Sequence, residues 1–377
     1  MTLTAYLKPT NFCNVGCEHC YLPESVRADK AKMGDNKMRE VANFLLGIAR
    51  AEGHNSLHII WHGGEPMMLS PEYYENALSI FDDVVGASRF TTSFQTSLIP
   101  YRHEWAPLVH SRFHSQLGSS IDFSQRKVKS SPQHYLDLWM KKVRMARLDG
   151  IYILPGMVPT RREVGRGAEI VQWFVDHNFA EFNIERYSRY GDDISDWPSN
   201  AEHSAFLVEV FGAIVARLEH GLSAPYVSAI SAGIRGVLFG IPGDRWGGQC
   251  QKQFLVIEPD GSLNSCPDRA KHEAPFANTS AGAEGLISSP ARRNWIRVQN
   301  VTHKKPHCHS CEFNHWCKSG CPVTPNGPAD GETECSGYKS FLLHVLRYAE
   351  QSPEHRERLI AYATPPGEPI TAEEALV

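Results

Sequence analysis

The chain has 377 residues, of which 42% are hydrophobic and 21% charged, and its 38 Lys and Arg against 42 Asp and Glu give a formal net charge of −4. This composition is typical of a soluble globular protein with two or three domains, and the slightly acidic balance disfavours a nucleic-acid-binding function. The sequence contains no apolar run long enough for a membrane span, and its amino terminus lacks the apolar core of a secretion signal, so we expect a cytoplasmic protein. Ten cysteines are unusual in that compartment, where disulfides are rare, and they indicate metal or cluster ligation.

The first 200 or so residues alternate between strand-like and helix-like segments. Strands are predicted at Thr2–Lys8, Leu57–Trp61, Phe90–Gln95, Ser115–Ile121, Ile151–Val158 and Glu181–Glu185. Helices are predicted at 38–52, 71–85, 103–112, 132–149 and 166–178. This repetition predicts a parallel sheet with right-handed crossovers, and the spacing alone leaves a partial barrel and a doubly wound sheet equally open.

The rest of the chain has a different character. A predicted helix at 201–219 leads into a Gly-rich bridge, and the segment from Cys250 to Gly337 is rich in Cys, Pro, Gly and His. Such a segment has little apolar material for a core, so we expect bound metal to stabilise it. A helix is predicted at 338–350 and a loosely held tail after it. The predicted domains are therefore 1–220, a bridge at 221–249, a Cys-rich domain at 250–350, and a tail at 351–377.

The first group of cysteines lies directly after the first predicted strand. Cys13, Cys17 and Cys20 have the spacing C-x3-C-x2-C. In parallel α/β folds the carboxyl ends of the strands line the site, and three thiolates on one loop can hold a [4Fe–4S] cluster with its fourth iron open. The alternative is a zinc site completed by a histidine, of which His19 is the nearest in sequence.

The other seven cysteines form two further groups. Cys250 and Cys266 flank a predicted hairpin whose turn is Pro259–Gly261. The remaining five have the spacing C-x2-C-x5-C-x3-C followed by one more distant cysteine; they are Cys308, Cys311, Cys317, Cys321 and Cys335. Spacing alone does not decide between structural zinc and iron–sulfur for this segment.

The stretch CNVGCEHC resembles the signature of radical SAM enzymes, and the following seven cysteines resemble a complete SPASM domain. The resemblance spans about residues 1–340. It implies a partial (β/α)6 TIM-like barrel followed by a small Cys-rich SPASM domain that binds two auxiliary iron–sulfur clusters. The implied cofactors are three [4Fe–4S] clusters and S-adenosylmethionine (SAM), whose reductive cleavage supplies a 5′-deoxyadenosyl radical for hydrogen abstraction from a substrate.

The segment WHGGEP at 61–66 resembles the GGEP motif, which binds the methionine amino group of SAM. Two glycines allow backbone carbonyls to approach a ligand, and a carboxylate accepts hydrogen bonds from an ammonium. Segments after the third and fourth strands resemble those that contact the ribose and carboxylate of SAM. The implied cofactor-binding residues are Gly63, Gly64, Glu65, Gln95, Thr96, Ser120, Asp122 and Arg126. Without the resemblance, the same residues suit a strand–turn–helix junction, helix caps and a solvated surface arginine.

By analogy with SPASM proteins, the ten cysteines divide into three ligand sets. The SAM-binding cluster takes Cys13, Cys17 and Cys20, and the distal auxiliary cluster takes Cys308, Cys311, Cys317 and Cys335. The nearer auxiliary cluster takes Cys250, Cys266 and Cys321. We expect its fourth position to be open or held by a ligand other than cysteine, with Asp244, Asp268, water or substrate as the candidates.

The resemblance favours a maturase of ribosomally made peptides, in which hydrogen abstraction from a side chain leads to a C–C or C–heteroatom crosslink of the cyclophane kind. The segments CxxxCxxCYLP, IIWHGGEPMMLSPEYY and FNIER are similar to those of such enzymes. The implied partners are a precursor peptide and an external electron donor such as flavodoxin or ferredoxin. Because only 12 residues precede Cys13, we expect the family's peptide-recognition domain to be absent or on a separate protein.

Two alternatives stay open. An anaerobic sulfatase maturase would form formylglycine, but such enzymes place an Asp directly after the second SPASM cysteine, where this chain has Pro267, and a Gly where it has Phe123. Asp268 and Glu185 are the candidate catalytic residues, although for Glu185 and its neighbour Arg186 a structural salt bridge is the simpler interpretation. A zinc-stapled binding module would explain the Cys-rich third, but not the amino-terminal cysteines together with the GGEP segment.

Overall fold

The computed structural model describes residues 2–18, 20, 22–187, 195–248, 250–267, 274–297, 306–321, 323–324 and 334–364. The chain folds into two compact units. Unit 1 comprises Met1–Pro155 with Gln249–Ile296, and unit 2 comprises Gly156–Gly248 with Arg297–Val377. This division reflects packing and differs from the domain boundaries inferred from the sequence, which stay a prediction.

The strands of the described residues are β1 (Thr2–Leu7), β2 (Gly16–Cys17), β3 (Ser56–Trp61), β4 (Phe90–Thr96), β5 (Gln116–Ser120), β6 (Arg126–Lys127), β7 (Tyr152–Met157), β8 (Glu181–Ile184), β9 (Tyr226–Val227), β10 (Phe254–Ile257), β11 (Ser262–Asn264) and β12 (Ala277–Asn278). The helices are α1 (Glu24–Ala28), α2 (Asp35–Ala51), α3 (Pro71–Val84), α4 (Ala106–Arg112), α5 (Pro132–Leu148), α6 (Gly167–Asp176), α7 (Asn200–Glu219), α8 (Ser228–Phe239), α9 (Cys250–Gln253), α10 (Gly282–Ser288), α11 (Pro290–Arg297), α12 (Pro306–His309), α13 (Asn314–Cys317), α14 (Lys339–Glu350) and α15 (Pro353–Ala363). None of these helices is long and apolar enough to cross a membrane.

Unit 1 contains a mostly parallel sheet in which the strands follow the order β12-β11-β10-β1-β3-β4-β5. Strand β1 pairs in parallel with β3 on one side and with β10 on the other. The six predicted strands are confirmed to within one or two residues at each end, and the predicted hairpin is confirmed as the antiparallel pair β10–β11. Gly261 makes this turn possible, because its φ of 85° lies in the left-handed region.

The core of unit 1 comes from side chains that alternate along these strands. In β1 every second residue, including Leu3 and Leu7, is buried, as the two-residue period of a strand requires. Trp61 at the end of β3 is fully buried, and its ring packs edge-on against Tyr74 of α3 with centroids 5.2 Å apart. This packing holds the carboxyl end of β3 firmly where the functional loops begin.

Unit 2 contains two helices in segments where the sequence analysis predicted a bridge and a loosely held tail. Helix α8 lies within the segment predicted as a Gly-rich bridge, where a Cβ on Gly233 would lie 2.5 Å from the ring of Phe341 and one on Gly236 would lie 2.4 Å from the ring of Trp316. These glycines therefore mark close packing of aromatic rings on a helix. Helix α15 lies where a loosely held tail is predicted, and its Tyr362 hydroxyl accepts a hydrogen bond from the backbone N–H of Val227 at 2.9 Å.

Candidate functional site

In the loop that carries Cys13, Cys17 and Cys20, the first cysteine lies six residues after the end of β1. It is pinned by the short antiparallel pair β2–β6, which sets Cys17 opposite Arg126, and by a 3.1 Å hydrogen bond from Cys13 N to the carbonyl of Arg27. Burial, together with a smaller effect of the neighbouring thiols of the group, raises the pKa of Cys13 to about 12 and that of Cys17 to about 11. The loop thus gathers three soft donors whose protons a metal cluster would displace on binding, so these residues fit a [4Fe–4S] cluster.

The GGEP segment packs directly against the backbone that leads into this loop. Gly64 N donates to Thr10 O at 3.2 Å, and Glu65 N donates to Phe12 O at 2.8 Å. A Cβ on Gly63 would lie 2.3 Å from Thr10 O, and one on Gly64 would lie 2.2 Å from the carbonyl oxygen of Asn11. The two glycines are therefore required for this close approach of two backbones, a role that the sequence pattern does not reveal.

Glu65 is buried and links the ends of two neighbouring strands. Its Oε1 accepts hydrogen bonds from Met67 N at 3.0 Å and from the Thr96 hydroxyl at 2.6 Å, and its Oε2 accepts one from Ser97 N at 2.7 Å. Two carboxylate oxygens provide about four acceptor positions, so these three neutral donors leave one position, on Oε2. Through this hydrogen bond Thr96 orients Glu65, and the direct contact of Thr96 with SAM that the resemblance implies stays a prediction.

Other predicted SAM contacts lie at the carboxyl ends of β4 and β5. Gln95 pairs in register with Gly118, and its Nε2 donates to the Ser120 hydroxyl at 3.1 Å. Ser120 is the last residue of β5, so the helix-cap alternative for this residue is wrong. Asp122 follows two residues later and accepts a hydrogen bond from Arg126 Nε at 2.5 Å.

Arg126 does not lie on the solvated surface. Its side chain is 15% exposed, and besides Asp122 it contacts Cys17, with Nη1 donating to Sγ at 3.4 Å. The structure thus brings together Glu65, Gln95, Ser120, Asp122 and Arg126 around the cysteine loop within unit 1. It also adds Tyr135, whose hydroxyl donates to the carbonyl of Ser120 at 2.7 Å and which no sequence motif indicated.

His62, inside the GGEP segment, has a structural role that the sequence analysis missed. Its Nδ1 accepts a 2.8 Å hydrogen bond from Gly63 N, and its ring stacks on Tyr6 with centroids 4.9 Å apart. Burial, and then the positive charge of Lys8, lower the pKa of His62 to about 3. The imidazole is therefore neutral at physiological pH and holds the turn as a hydrogen-bond acceptor.

A cavity of about 610 Å³ opens in unit 1 beside β1 and β10. Its polar lining includes Lys8, whose ammonium is 2.7 Å from Glu258, and Asn11, whose Nδ2 donates to the other oxygen of Glu258 at 3.1 Å. Asn11 Oδ1 is buried without a hydrogen-bond partner among the described residues. Burial lowers the pKa of Lys8, which is 1% exposed. Because Lys8 and Glu258 each follow the carboxyl end of a parallel strand, the cavity has the usual location of a ligand site in such sheets.

In unit 2, four of the carboxy-terminal cysteines line one small cavity. They are Cys308, Cys311, Cys317 and Cys335. Burial raises the pKa of Cys317 to about 12, with the neighbouring Cys335 next in effect. A Cβ on Gly337 would lie 2.6 Å from Cys317 Sγ, so this position excludes any larger residue without displacement of the thiol. The four thiols match the ligand set predicted for the distal cluster.

The remaining predicted ligands stay predictions. Cys250 and Cys266 belong to unit 1 and Cys321 to unit 2, and Asp268 lies outside the described residues. Asp244, in unit 2, is exposed. All ten cysteines are free of disulfides, and within the described ranges no three His, Cys, Asp or Glu side chains converge as they would on a single metal ion.

The other candidate catalytic residue, Glu185, forms an ion pair. Its carboxylate accepts a hydrogen bond from Arg245 Nη2 at 3.0 Å, and its side chain is 53% exposed. The adjacent Arg186 is buried, donates to the carbonyl of Pro198 at 2.5 Å and lies 5.0 Å from the ring centre of Trp197. The salt bridge expected for Glu185 is therefore present, with Arg245 as its partner, whereas Arg186 contacts a carbonyl and a ring; a catalytic role for Glu185 stays a prediction.

Residues 7–161 match the model of the Radical SAM superfamily. Residues 7–161 of the chain therefore form a radical SAM domain, and the chain is an enzyme. Among relatives, it is 20% identical to a serine-type anaerobic sulfatase-maturating enzyme of Bacteroides thetaiotaomicron, over 92% of this chain and 90% of that protein. It is 32% identical to an uncharacterized protein of Archaeoglobus fulgidus over 121 residues, a match that spans 32% of this chain and 25% of that protein.

Two solved structures are similar in fold. The structure of native anSMEcpe with bound AdoMet has a TM-score of 0.76 and 17% identity, covering 96% of this chain and 99% of that one. Streptococcus suis SuiB bound to its precursor peptide SuiA has a TM-score of 0.61 and 16% identity, covering 86% of this chain and 72% of that one. The chain thus has an α/β radical SAM fold with a mostly parallel sheet, and it is related to anaerobic sulfatase-maturating enzymes.

Proposed function

We propose that this radical SAM enzyme oxidises a side chain of a peptide or protein substrate. The observation that carries the proposal is the close packing of the GGEP segment on the backbone that leads to Cys13, within hydrogen-bonding distance at two positions. This packing joins the predicted cluster ligands to the predicted SAM contacts in one polar site. When bound, the cluster and SAM supply a radical that abstracts a hydrogen atom, which is chemistry that protein side chains do not provide.

In this proposal the protein binds and orients its cofactors. Cys13, Cys17 and Cys20 would hold the cluster, and the carbonyls of the GGEP turn with Glu65 Oε2 would accept hydrogen bonds from the amino group of SAM. Gln95, Ser120 and Asp122 provide polar groups for the ribose and carboxylate. Burial of the surrounding side chains excludes water from the reacting groups.

The carboxy-terminal cysteines serve electron transfer in this proposal. Cys308, Cys311, Cys317 and Cys335 hold a closed cluster in a SPASM domain that follows a partial (β/α)6 barrel. Cys250, Cys266 and Cys321 hold a second auxiliary cluster, whose fourth ligand is Asp244, Asp268, water or substrate. When bound, these clusters would accept the second electron that oxidation of a side chain by hydrogen abstraction releases. A ferredoxin or flavodoxin supplies the first.

Two substrate classes fit this chemistry. Formation of a crosslink in a ribosomally made peptide is favoured by Pro267 and Phe123, which replace residues typical of sulfatase maturases. Formylglycine formation in a sulfatase is favoured by the relative from Bacteroides thetaiotaomicron, a serine-type sulfatase-maturating enzyme matched over 90% of its length. Crosslink formation and the oxidation of Ser to formylglycine each remove two hydrogen atoms from the substrate, so for a Ser substrate the mass change alone does not distinguish them.

Iron analysis and SAM cleavage test the enzyme class. Anaerobically purified and reconstituted protein is expected to be brown, to contain about twelve irons per chain, and to release 5′-deoxyadenosine from SAM under a strong reductant. The matched control is a variant with Cys13, Cys17 and Cys20 replaced by Ala, which should keep the auxiliary clusters and lose SAM cleavage. A colourless protein that contains zinc alone would overturn the proposal and support a binding module.

A second experiment separates the two substrate classes. The reconstituted enzyme is incubated with SAM, reductant and either a peptide encoded beside its gene or a sulfatase peptide with a Ser or Cys at the modification site. Separate recognition proteins encoded nearby are included in parallel reactions. Loss of two hydrogens without an aldehyde indicates a crosslink, whereas reaction of the product with an aldehyde-specific hydrazide indicates formylglycine. An unchanged mass for every peptide, despite SAM cleavage, would argue against both classes.

A further inference from the structure

Arg126 contacts the cysteine loop in a way that neither the sequence motif nor the proposed function uses. Its Nη1 donates to Cys17 Sγ at 3.4 Å, while its Nε donates to Asp122 at 2.5 Å. The antiparallel register of β2 and β6, in which Cys17 lies opposite Arg126, brings the guanidinium to this sulfur. The contact is therefore set by the backbone as well as by the side chains.

The guanidinium is held rigidly on the side away from the sulfur. Arg126 and Asp122 are separated by four positions, and their side chains are 15% and 2% exposed respectively. The guanidinium is planar and presents its donors in a fixed fork, so anchoring Nε to a carboxylate also fixes the direction of Nη1. The anchor leaves the cation close to Cys17.

A fixed cation beside a cluster thiolate has a definite electrostatic effect. One-electron reduction makes an iron–sulfur cluster more negative, so a nearby positive charge and a hydrogen bond to the ligating sulfur favour the reduced state. Such interactions are strong in a site that is shielded from water. The carboxylate of Asp122 offsets part of the charge and leaves the directed hydrogen bond in place.

We propose that Arg126 is a positioning residue that raises the reduction potential of the SAM-binding cluster through its hydrogen bond to Cys17, with Asp122 as its anchor. This inference rests on the proposed ligation of that cluster by Cys13, Cys17 and Cys20. It differs from the role implied by the family resemblance, in which Arg126 pairs with the carboxylate of SAM. The two roles make different predictions for the protein in the absence of SAM.

The test is a potentiometric titration of the reconstituted protein, followed by electron paramagnetic resonance without SAM. The signal of interest is the reduced-cluster signal that changes when SAM is then added, and SAM affinity is measured in parallel. In Arg126→Gln we expect the midpoint to move to a more negative potential by about 59 mV, equivalent to a tenfold change in the ratio of oxidised to reduced cluster. The matched control is Lys127→Gln, because Lys127 carries the same charge one residue later and pairs with Glu18. It should keep the wild-type midpoint.

Arg126→Lys keeps the charge and loses the planar fork, so its midpoint should lie between those of wild type and Arg126→Gln. If Arg126→Gln assembles no cluster, the midpoint potentials of Arg126→Lys and Lys127→Gln are compared instead, and a more negative midpoint in Arg126→Lys supports the inference. An unchanged midpoint in the Arg126 variants would overturn the inference, and a weakened SAM affinity in the same variants would assign Arg126 to the carboxylate of SAM. A wild-type protein without any SAM-responsive signal would overturn the proposed function and this inference with it.

Discussion

Gly64→Ala tests the close packing between the GGEP segment and the cysteine loop. The added methyl group would lie 2.2 Å from the carbonyl oxygen of Asn11 and 2.5 Å from that of Phe12. Both atoms belong to the backbone, so no side-chain rotation relieves the contact. The loop that leads to Cys13 has to move away from the GGEP segment.

The expected cost follows from the contacts that this movement breaks. Gly64 N donates to Thr10 O and Glu65 N donates to Phe12 O, and a shift large enough to admit the methyl group removes both hydrogen bonds. At about 0.5–1.5 kcal/mol net for each bond, the free energy of unfolding should fall by about 1–3 kcal/mol. Displacement of the loop should also lower the iron content of the reconstituted protein.

The assay is anaerobic urea unfolding followed by tryptophan fluorescence, together with iron analysis of the same samples. The control is Gly212→Ala, since Gly212 is an exposed residue within α7 and a Cβ there would meet no atom within 4 Å. That substitution should raise the stability by about 0.5–1 kcal/mol, because Ala loses less conformational entropy in a helix than Gly does. If Gly64→Ala unfolds at the wild-type urea concentration and keeps its iron, the argument from close packing is wrong.

Two further predictions concern buried titratable side chains near β1. Glu258→Gln leaves the buried Lys8 ammonium without its carboxylate and should destabilise the protein by about 3 kcal/mol. The double variant Lys8→Met/Glu258→Gln removes the ammonium as well and should recover most of this loss. If urea unfolding shows the double variant to be less stable than the single one, the pairing of Lys8 with Glu258 is contradicted. The pKa of His62 is lowered to about 3 in the fold, whereas the ordinary histidine pKa is about 6.5. Between these two pH values the unfolded chain binds a proton that the native state does not bind. The free energy of unfolding should therefore decrease by up to about 1.4 kcal/mol per pH unit as the pH falls through this range. In His62→Gln the free energy of unfolding should depend less steeply on pH over this range. A slope identical to that of the wild type would refute the lowered pKa of His62.

Much of the fold is readable from local patterns. The alternation in β1 and the helical spacing of apolar residues in α5 depend on one element and its burial, and their predicted bounds agree with the structure to within two residues. The hairpin around Gly261 was predictable for the same reason, since turn residues act over a few positions. Helices α8 and α15 were missed because their segments look irregular in sequence, and tertiary packing around Gly233 and Tyr362 makes residues 228–239 and 353–363 helical.

The sequence by itself determined the alternation of strands and helices, the hairpin and the grouping of ten cysteines, because each is a pattern of neighbouring residues. Only the tertiary structure decided that Gly63 and Gly64 accommodate the loop before Cys13, and that Arg126 contacts a sulfur 109 positions earlier in the chain. It also decided that Lys8 pairs with Glu258, 250 positions away. The physical reason is that periodicity records which face of an element is buried, while the partner of a buried polar group depends on which strands become neighbours in the sheet.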